Sequence, residues 1–317
     1  MKMGKIAFLF PGQGSQAVGM GQSLAEANND SKEIFEKANQ ALNIDLSKLI
    51  FEGPAEELTI TYNAQPALLT TSIAVLEYFK QFDIKPDYVA GHSLGEYTAL
   101  VAAGVFSFED GVKAVRKRGE LMDEAVPNGE GAMAAVLGLD RDTLRSITDE
   151  VTEDGHSVQL ANLNCPGQIV ISGTKQGVED ASEKAKLKGA KRAIPLQVSG
   201  PFHSELMKPA AEKFKNVLNE ISLQNANIPV IANVTASIMS DAVDIKVKLV
   251  EQLYSPVLWE DSVQKMLELG VDTFIEIGPG KVLTGLVKKV NRSVKVYNVS
   301  DIETCQAVVE AFKEELK

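Results

Sequence analysis

Short apolar runs and helical periodicities alternate along the chain. KIAFLF (residues 5–10) and PDYVAG (86–91) predict short buried strands of a parallel sheet. ALLTTSIAVLEYFKQF (67–82) carries apolar residues at helical spacing, and IPVIANV (228–234) and DTFIEIG (272–278) predict two further strands. Strands separated by helices imply an α/β domain with a mainly parallel sheet.

The middle of the chain follows another rhythm. GAMAAVLG (131–138) is strand-like, and DRDTLRSITDEV (140–151) is helical with Asp140 as its N-cap. SVQLANLN (157–164) and QIVISGT (168–174) are two strands joined by a turn containing Pro166 and Gly167. A helix over 175–189 follows, capped by Thr174 and stopped at Gly189, and AKRAIPLQV (190–198) is a last strand. The order βαββαβ is the ferredoxin-like pattern. It begins after the breaker stretch VPNGEG and ends near SGP at 199–201. The expectation is a small domain, 128–199, inserted into a larger α/β domain formed by 1–127 and 200–317. The junctions then flank a cleft, a common place for an active site.

Composition narrows the function. The 317 residues are 44% hydrophobic and 24% charged, which provides a core and argues against disorder. A net charge of -11 argues against nucleic acid as the main partner, because phosphate binding needs a dominant positive field. Two cysteines are too few for a disulfide scaffold or a cysteine metal site, and they fit a reducing cytoplasm. No membrane segment is expected, since the apolar stretch at 100–106 falls well short of the roughly 18 residues a spanning helix needs. The run at 6–10 is too short for a signal-peptide core and is taken as the first strand.

The sharpest motif is GHSLG at 91–95, after the strand DYVA and before the helix-like EYTALVAAG. That is the setting of a nucleophile elbow, in which a tight strand-to-helix turn exposes Ser93 and the new helix points N–H groups at the same spot. A bare G-x-S-x-G should occur only about 0.1 times by chance in a chain this long, so the context decides for catalysis. Ser93 needs a base, and the sequence offers three histidines. His92 adjoins Ser93 and should point to the other side of the elbow. His156 sits in the turn EDGHS. His203, in SGPFHSELMKP where the chain returns to the large domain, remains as the general base.

Three further stretches bear on the site. FPGQGSQ (10–16) satisfies the dinucleotide fingerprint G-x-G-x-x-G/A, but the required second strand is missing, because NNDSKEIFEKANQ reads as helix. The loop still ends a parallel strand on the edge that holds Ser93, so Gln13 could supply a donor to the site. GPGKVLTG (278–285) lacks the Ser or Thr and the spacing of a phosphate loop and is taken as a strand-to-helix turn. In DGVKAVRKRGELM, Arg118 falls on the apolar stripe with Val115 and Met122. A buried Arg needs an anionic partner, either a protein carboxylate or the carboxylate of a substrate.

FPGQGSQ, GHSLGEY, VRKRGELM, GPFHS, QLYSPVLW and EIGPGK occur here in the order found in malonyl-CoA:acyl carrier protein transacylases, which the chain resembles nearly end to end. Acyltransferase domains of polyketide synthases are more distant relatives. The resemblance implies an α/β-hydrolase-like large domain with an inserted ferredoxin-like small one, and malonyl transfer from coenzyme A to acyl carrier protein for fatty acid biosynthesis. It implies Ser93 as nucleophile and His203 as base, with Gln13 and the N–H of Leu94 as the oxyanion hole. It assigns Arg118 to the malonyl carboxylate and Gln252 to orienting the histidine through a neutral carbonyl. From spacing alone, Gln252 is a helix-end surface residue. Phe202 resembles the bulky residue of malonyl-selective members, where methylmalonyl-selective ones carry a small one. No metal or redox cofactor is implied, and a monomer is expected.

An acidic carrier approaching an acidic enzyme needs a local basic surface. Lys188, Lys191 and Arg192 in the small domain and Lys288, Lys289 and Arg292 in the large one are the candidate docking clusters. Two rival readings share the elbow: a serine hydrolase and a non-catalytic carrier-binding module. The hydrolase order, with its histidine late in the chain, is not followed here, since more than 100 residues come after His203. The intact Ser93 and His203 weigh against the second rival.

Overall fold

The computed structural model describes residues 4–127 and 129–315. Asn128, where the small domain was expected to begin, and residues 1–3 and 316–317 of the large one lie outside the described residues. Ten strands are present among the described residues. They are β1 Lys5–Phe10, β2 Tyr88–Gly91, β3 Gly131–Leu137, β4 Val158–Cys165, β5 Gln168–Thr174, β6 Arg192–Pro195, β7 Val230–Ile231, β8 Ile238–Met239, β9 Val271–Ile277 and β10 Lys295–Val299.

Six of them form one sheet in the order β10-β9-β1-β2-β7-β8, parallel except for the β7–β8 pair. The apolar run of β1 is buried on both faces. Ile6, Phe8 and Phe10 join one core cluster and Ala7 and Leu9 the other, as the period of two requires when helices cover both sides. The remaining four strands form a second, antiparallel sheet, β4-β5-β3-β6. Counted within the small unit, that is strand order 2-3-1-4, the arrangement expected of βαββαβ. Helices Arg141–Glu153 and Lys175–Leu187 cover one face of this sheet with Leu144, Ile147, Val151, Val178 and Ala181. Their caps are the ones read from sequence: Asp140 accepts from the Thr143 N–H and Thr174 from the Gly177 N–H. The other face turns Met133, Ala161 and Val170 into the main core.

The two sheets are also stitched at the backbone. The Leu163 N–H donates to the Val257 carbonyl at 2.9 Å, and the Val257 N–H to the Ala161 carbonyl at 2.8 Å. The outer edge of the small sheet is thus continued by residues of the large unit.

Three elements differ from the sequence expectation. IPVIANV pairs only over Val230–Ile231, because the chain turns away and sends Asn233 to the elbow. AKRAIPLQV is a strand only over Arg192–Pro195; the Leu196 N–H still donates to the Met133 carbonyl at 2.9 Å, and residues 196–198 line the cleft. The central helix runs Thr61–Phe79, past Pro66 rather than starting after it. Proline removes the N–H that would bond the carbonyl four residues back, that of Tyr62. Arg116 Nη1 donates to this carbonyl at 3.2 Å, so the lost bond is replaced from the neighbouring helix Phe108–Glu124.

Candidate active site

The elbow is a consequence of close packing at the carboxyl edge of the parallel sheet. β2 ends at Gly91, Ser93 takes φ 52° and ψ −107°, and the helix Leu94–Ala102 starts at the next residue. A Cβ on Gly95 would lie 2.0 Å from the Phe10 carbonyl oxygen, and one on Gly12 would lie 2.4 Å from that of His92. Only glycine at both positions lets the loop after β1 close on the elbow. That closure brings Gln13 to the cavity that holds Ser93, with Gln13 Nε2 donating to Thr61 Oγ1 at 3.3 Å. Leu94 opens the helix, so its N–H belongs to the first turn beside Ser93.

Ser93 Oγ lies 2.8 Å from His203 Nε2, and His203 Nδ1 lies 2.8 Å from the backbone carbonyl of Gln252. A carbonyl can only accept, so Nδ1 carries the proton and Nε2 is free to accept from the serine hydroxyl. Burial, and then the positive charge of Arg118, push the His203 imidazole down to about 3, so the ring stands neutral. His92 is directed elsewhere: its Nε2 meets Asn164 Oδ1 at 2.8 Å and its ring packs on Trp259. His156 pairs with Asp180 on the surface.

Arg118 is 1% exposed, on the buried stripe of its helix. Nη1 donates to Gln65 Oε1 at 2.8 Å, and Nη2 to Gln252 Oε1 at 2.9 Å and to Ser93 Oγ at 3.2 Å. Two amides and a hydroxyl meet the guanidinium where a protein carboxylate was the alternative. Its Nε has no partner among the described residues. Gln252 itself is fully buried, which corrects the surface position its spacing predicts: helix Ala242–Gln252 ends inside the molecule.

A cavity of about 290 Å³ lies over these groups. Gln13, Ser93, Met122, Phe202 and His203 line it from the large unit, and Met133, Asn162, Leu196 and Val198 from the small unit and its return segment. Phe202 is 6% exposed. The cleft between the two units is therefore where Ser93 sits. In the EIGPGK turn, Glu276 accepts from the N–H groups of Leu283 and Thr284, so a protein carboxylate already fills the N-terminus of helix Val282–Val290. No group of three His, Cys, Asp or Glu suited to a metal exists among the described residues.

The charged clusters are less alike than their sequences. Lys188, Lys191 and Arg192 are exposed at one end of the small sheet. Lys288 instead directs its ammonium to the carbonyls of Arg292 and Val294 at 3.1 and 2.6 Å, and Lys289 reaches Gln168 on the small unit at 3.0 Å. Lys288 thus ties the end of its own helix, while the exposed Lys289 bridges to the small sheet.

The sequence pattern of the acyl transferase domain family matches residues 7–315. The chain belongs to that family. It is 66% identical over 313 residues to the malonyl CoA-acyl carrier protein transacylase of Bacillus subtilis (strain 168), covering 99% of both chains. It is 50% identical over 301 residues to that of Staphylococcus aureus (strain MRSA252), covering 95% of this chain and 97% of the relative. Among solved structures, an acyl carrier protein S-malonyltransferase from Vibrio cholerae O1 biovar eltor superposes with a TM-score of 0.94 at 46% identity, over 96% of this chain and 99% of that one. A malonyl-transacylase, PlMCAT, in complex with the type II PKS acyl-carrier protein AntF, superposes with a TM-score of 0.94 at 44% identity, over 97% and 99%. In this acyltransferase, sequence reasoning missed Gln65, Glu96 and Asn233, which bond the site residues from below. Glu96 left one signal, a lone acid within the apolar helix that follows Ser93.

Proposed function

We propose that this acyltransferase moves a malonyl group from malonyl-CoA to the phosphopantetheine thiol of acyl carrier protein through a malonyl ester on Ser93. The observation that carries the reading is Arg118: a buried cation, met by neutral groups, 3.2 Å from the nucleophilic oxygen. A carboxylate one carbon beyond the attacked carbonyl is the anion that such a guanidinium suits.

His203 Nε2 takes the Ser93 proton as Oγ attacks the thioester carbonyl, and the oxyanion meets the donors of Gln13 and Leu94. Collapse expels the coenzyme A thiolate, to which His203 returns the proton. The carrier thiol then repeats the sequence in reverse. One thioester replaces another, so no metal or redox group is needed. Substrate also tunes the base. The malonyl carboxylate offsets the charge of Arg118, one of the two main causes that hold His203 low, and so raises the proton affinity of the ring when it is needed. No helix among the described residues is long and apolar enough to cross a membrane, and we place the enzyme in the cytoplasm beside its carrier.

Intact-mass analysis after malonyl-CoA treatment tests the reading. A single malonyl adduct on Ser93 should form, persist without a carrier, disappear on addition of holo-acyl carrier protein, and be absent in Ser93→Ala. Rapid release of free malonate without a carrier would make the protein a hydrolase.

Two predictions refine it. Phe202 lines the cavity together with Met133 and Leu196, and in the proposed reading its ring excludes an α-methyl branch. Phe202→Ser should raise the methylmalonyl-to-malonyl ratio of kcat/KM by about 10-fold, the value of a methyl-sized difference in an apolar pocket. An unchanged ratio would make Phe202 core. For docking, Lys191→Glu with Arg192→Glu should raise the carrier KM at low salt while leaving self-malonylation intact. The corresponding change at Lys288 and Lys289 should instead lower stability, given the bonds those lysines make. A carrier KM unmoved by the first pair would put the docking surface elsewhere.

A further inference from the structure

The strained conformation of Ser93 is held by two buried amides. Its N–H donates to Asn233 Oδ1 at 2.8 Å, while Asn233 Nδ2 donates to the Gly91 carbonyl at 2.7 Å. Its carbonyl accepts from Gln252 Nε2 at 3.0 Å, beside the first helical N–H, that of Glu96. Both amide residues rest on one carboxylate. Glu96, 1% exposed, takes the backbone N–H of Asn233 on Oε1 and Gln252 Nε2 on Oε2.

The direction of each amide is set by groups that cannot exchange roles. A backbone N–H and a backbone carbonyl fix Asn233. Gln252 lies between a guanidinium, which only donates, and a carboxylate, which only accepts. Glu96 and Arg118 are thereby coupled through one side chain without touching.

We propose that Glu96 is a positioning residue: as an acceptor-only carboxylate it holds the Gln252 amide with Oε1 toward Arg118, and so aims the guanidinium at the acyl carboxylate. This rests on the malonyl-transfer reading above. A glutamine at position 96 presents a donor to either the Asn233 N–H or the Gln252 amide, two groups that already donate. Relief at Gln252 requires its amide to turn over, and Nε2 then faces the donors of Arg118. Protonation of Glu96 has the same effect, because its single O–H would meet one or other of the same two donors. Burial pushes the Glu96 carboxyl up to about 7, against the bonds from Asn233 and Gln252 and the charges of Arg118 and Lys248. Lys248 faces it from helix Ala242–Gln252 with its ammonium on Asp244, Arg118 from helix Phe108–Glu124, and Tyr97 from the next position in its own helix.

The test compares malonyl-CoA with acetyl-CoA as donors to Ser93 in wild type and Glu96→Gln. Histidine protonation in the free enzyme, which governs kcat/KM, and the coenzyme A phosphates are common to both donors and cancel in the ratio. The malonyl-to-acetyl ratio of kcat/KM should fall about 10- to 100-fold in Glu96→Gln, the value of one charge-assisted hydrogen bond, with the acetyl rate far less changed. A ratio within twofold of wild type, even with a lowered Tm, would leave Glu96 merely structural and overturn the proposal. Should the variant fail to fold, wild type decides: its ratio should drop as pH falls through the Glu96 titration near 7, and a flat ratio from about pH 8.5 to 5.5 overturns the proposal equally. Wild type that forms no malonyl adduct would instead overturn the acyl-transfer reading.

Discussion

His203→Ala should lower the rate of Ser93 acylation by about 10³- to 10⁴-fold, the contribution of a positioned general base. In the proposed mechanism the ring, 2.8 Å from Oγ, is the direct proton acceptor, so nothing else should compensate. Stopped-flow release of coenzyme A measures the effect, and added imidazole should restore part of the rate by filling the vacated space. A loss below tenfold would assign the base elsewhere. The pH behaviour follows from the same burial. The folded pKa of His203, about 3, lies below the ordinary value of 6.5. The native ring therefore stays unprotonated where an unfolded one gains a proton. The stability this contributes is present above about pH 6.5 and is lost as pH falls toward 3, at about 1.4 kcal/mol per unit. Denaturant titrations at falling pH should show this slope in wild type and less of it in His203→Ala.

Arg118→Ala should cost malonyl transfer about 3–5 kcal/mol more than acetyl transfer, or roughly two to four decades, because the malonyl carboxylate is then buried without a partner. Acetyl has no carboxylate to strand. The loss should appear in kcat as well as KM, since the carboxylate no longer has a cation to offset. Arg118→Lys should recover only part, as one ammonium cannot serve Gln65, Gln252 and substrate together. Both donors are measured on one preparation, which removes any effect of altered stability. Equal losses for the two acyl groups would make Arg118 a structural residue.

Most of this architecture is legible because its signals are local. β1, β2 and β9 are apolar runs, and the small sheet follows from two caps and two turns within about 70 residues. Ser93 stands in a motif with a mechanical reason, and three histidines make elimination short. What escaped depends on partners distant in sequence. Gln252 ends a helix, and only the fold shows that this end is buried against Ser93, 159 positions away. Asn233 looked like part of a strand, because nothing in IPVIANV announces that the chain must leave the sheet to hold the Ser93 N–H. β10 was not anticipated, since its burial is partial along most of its length. The bonds that Lys288 and Lys289 make leave no trace in a charge pattern, which shows the cations and not their partners.

The partner of His203 Nδ1 is a main-chain oxygen, and this gives the site an unusual relation to its own genetic code. A triad acid can be lost by one codon change. The carbonyl at position 252 is supplied by whichever amino acid stands there, provided the turn after the helix keeps its course. Substitution at that position therefore removes the side chain that serves Arg118 and leaves the acceptor for the histidine in place. Orientation of the histidine is written in the path of the chain, where a search for a third letter of a triad has nothing to find.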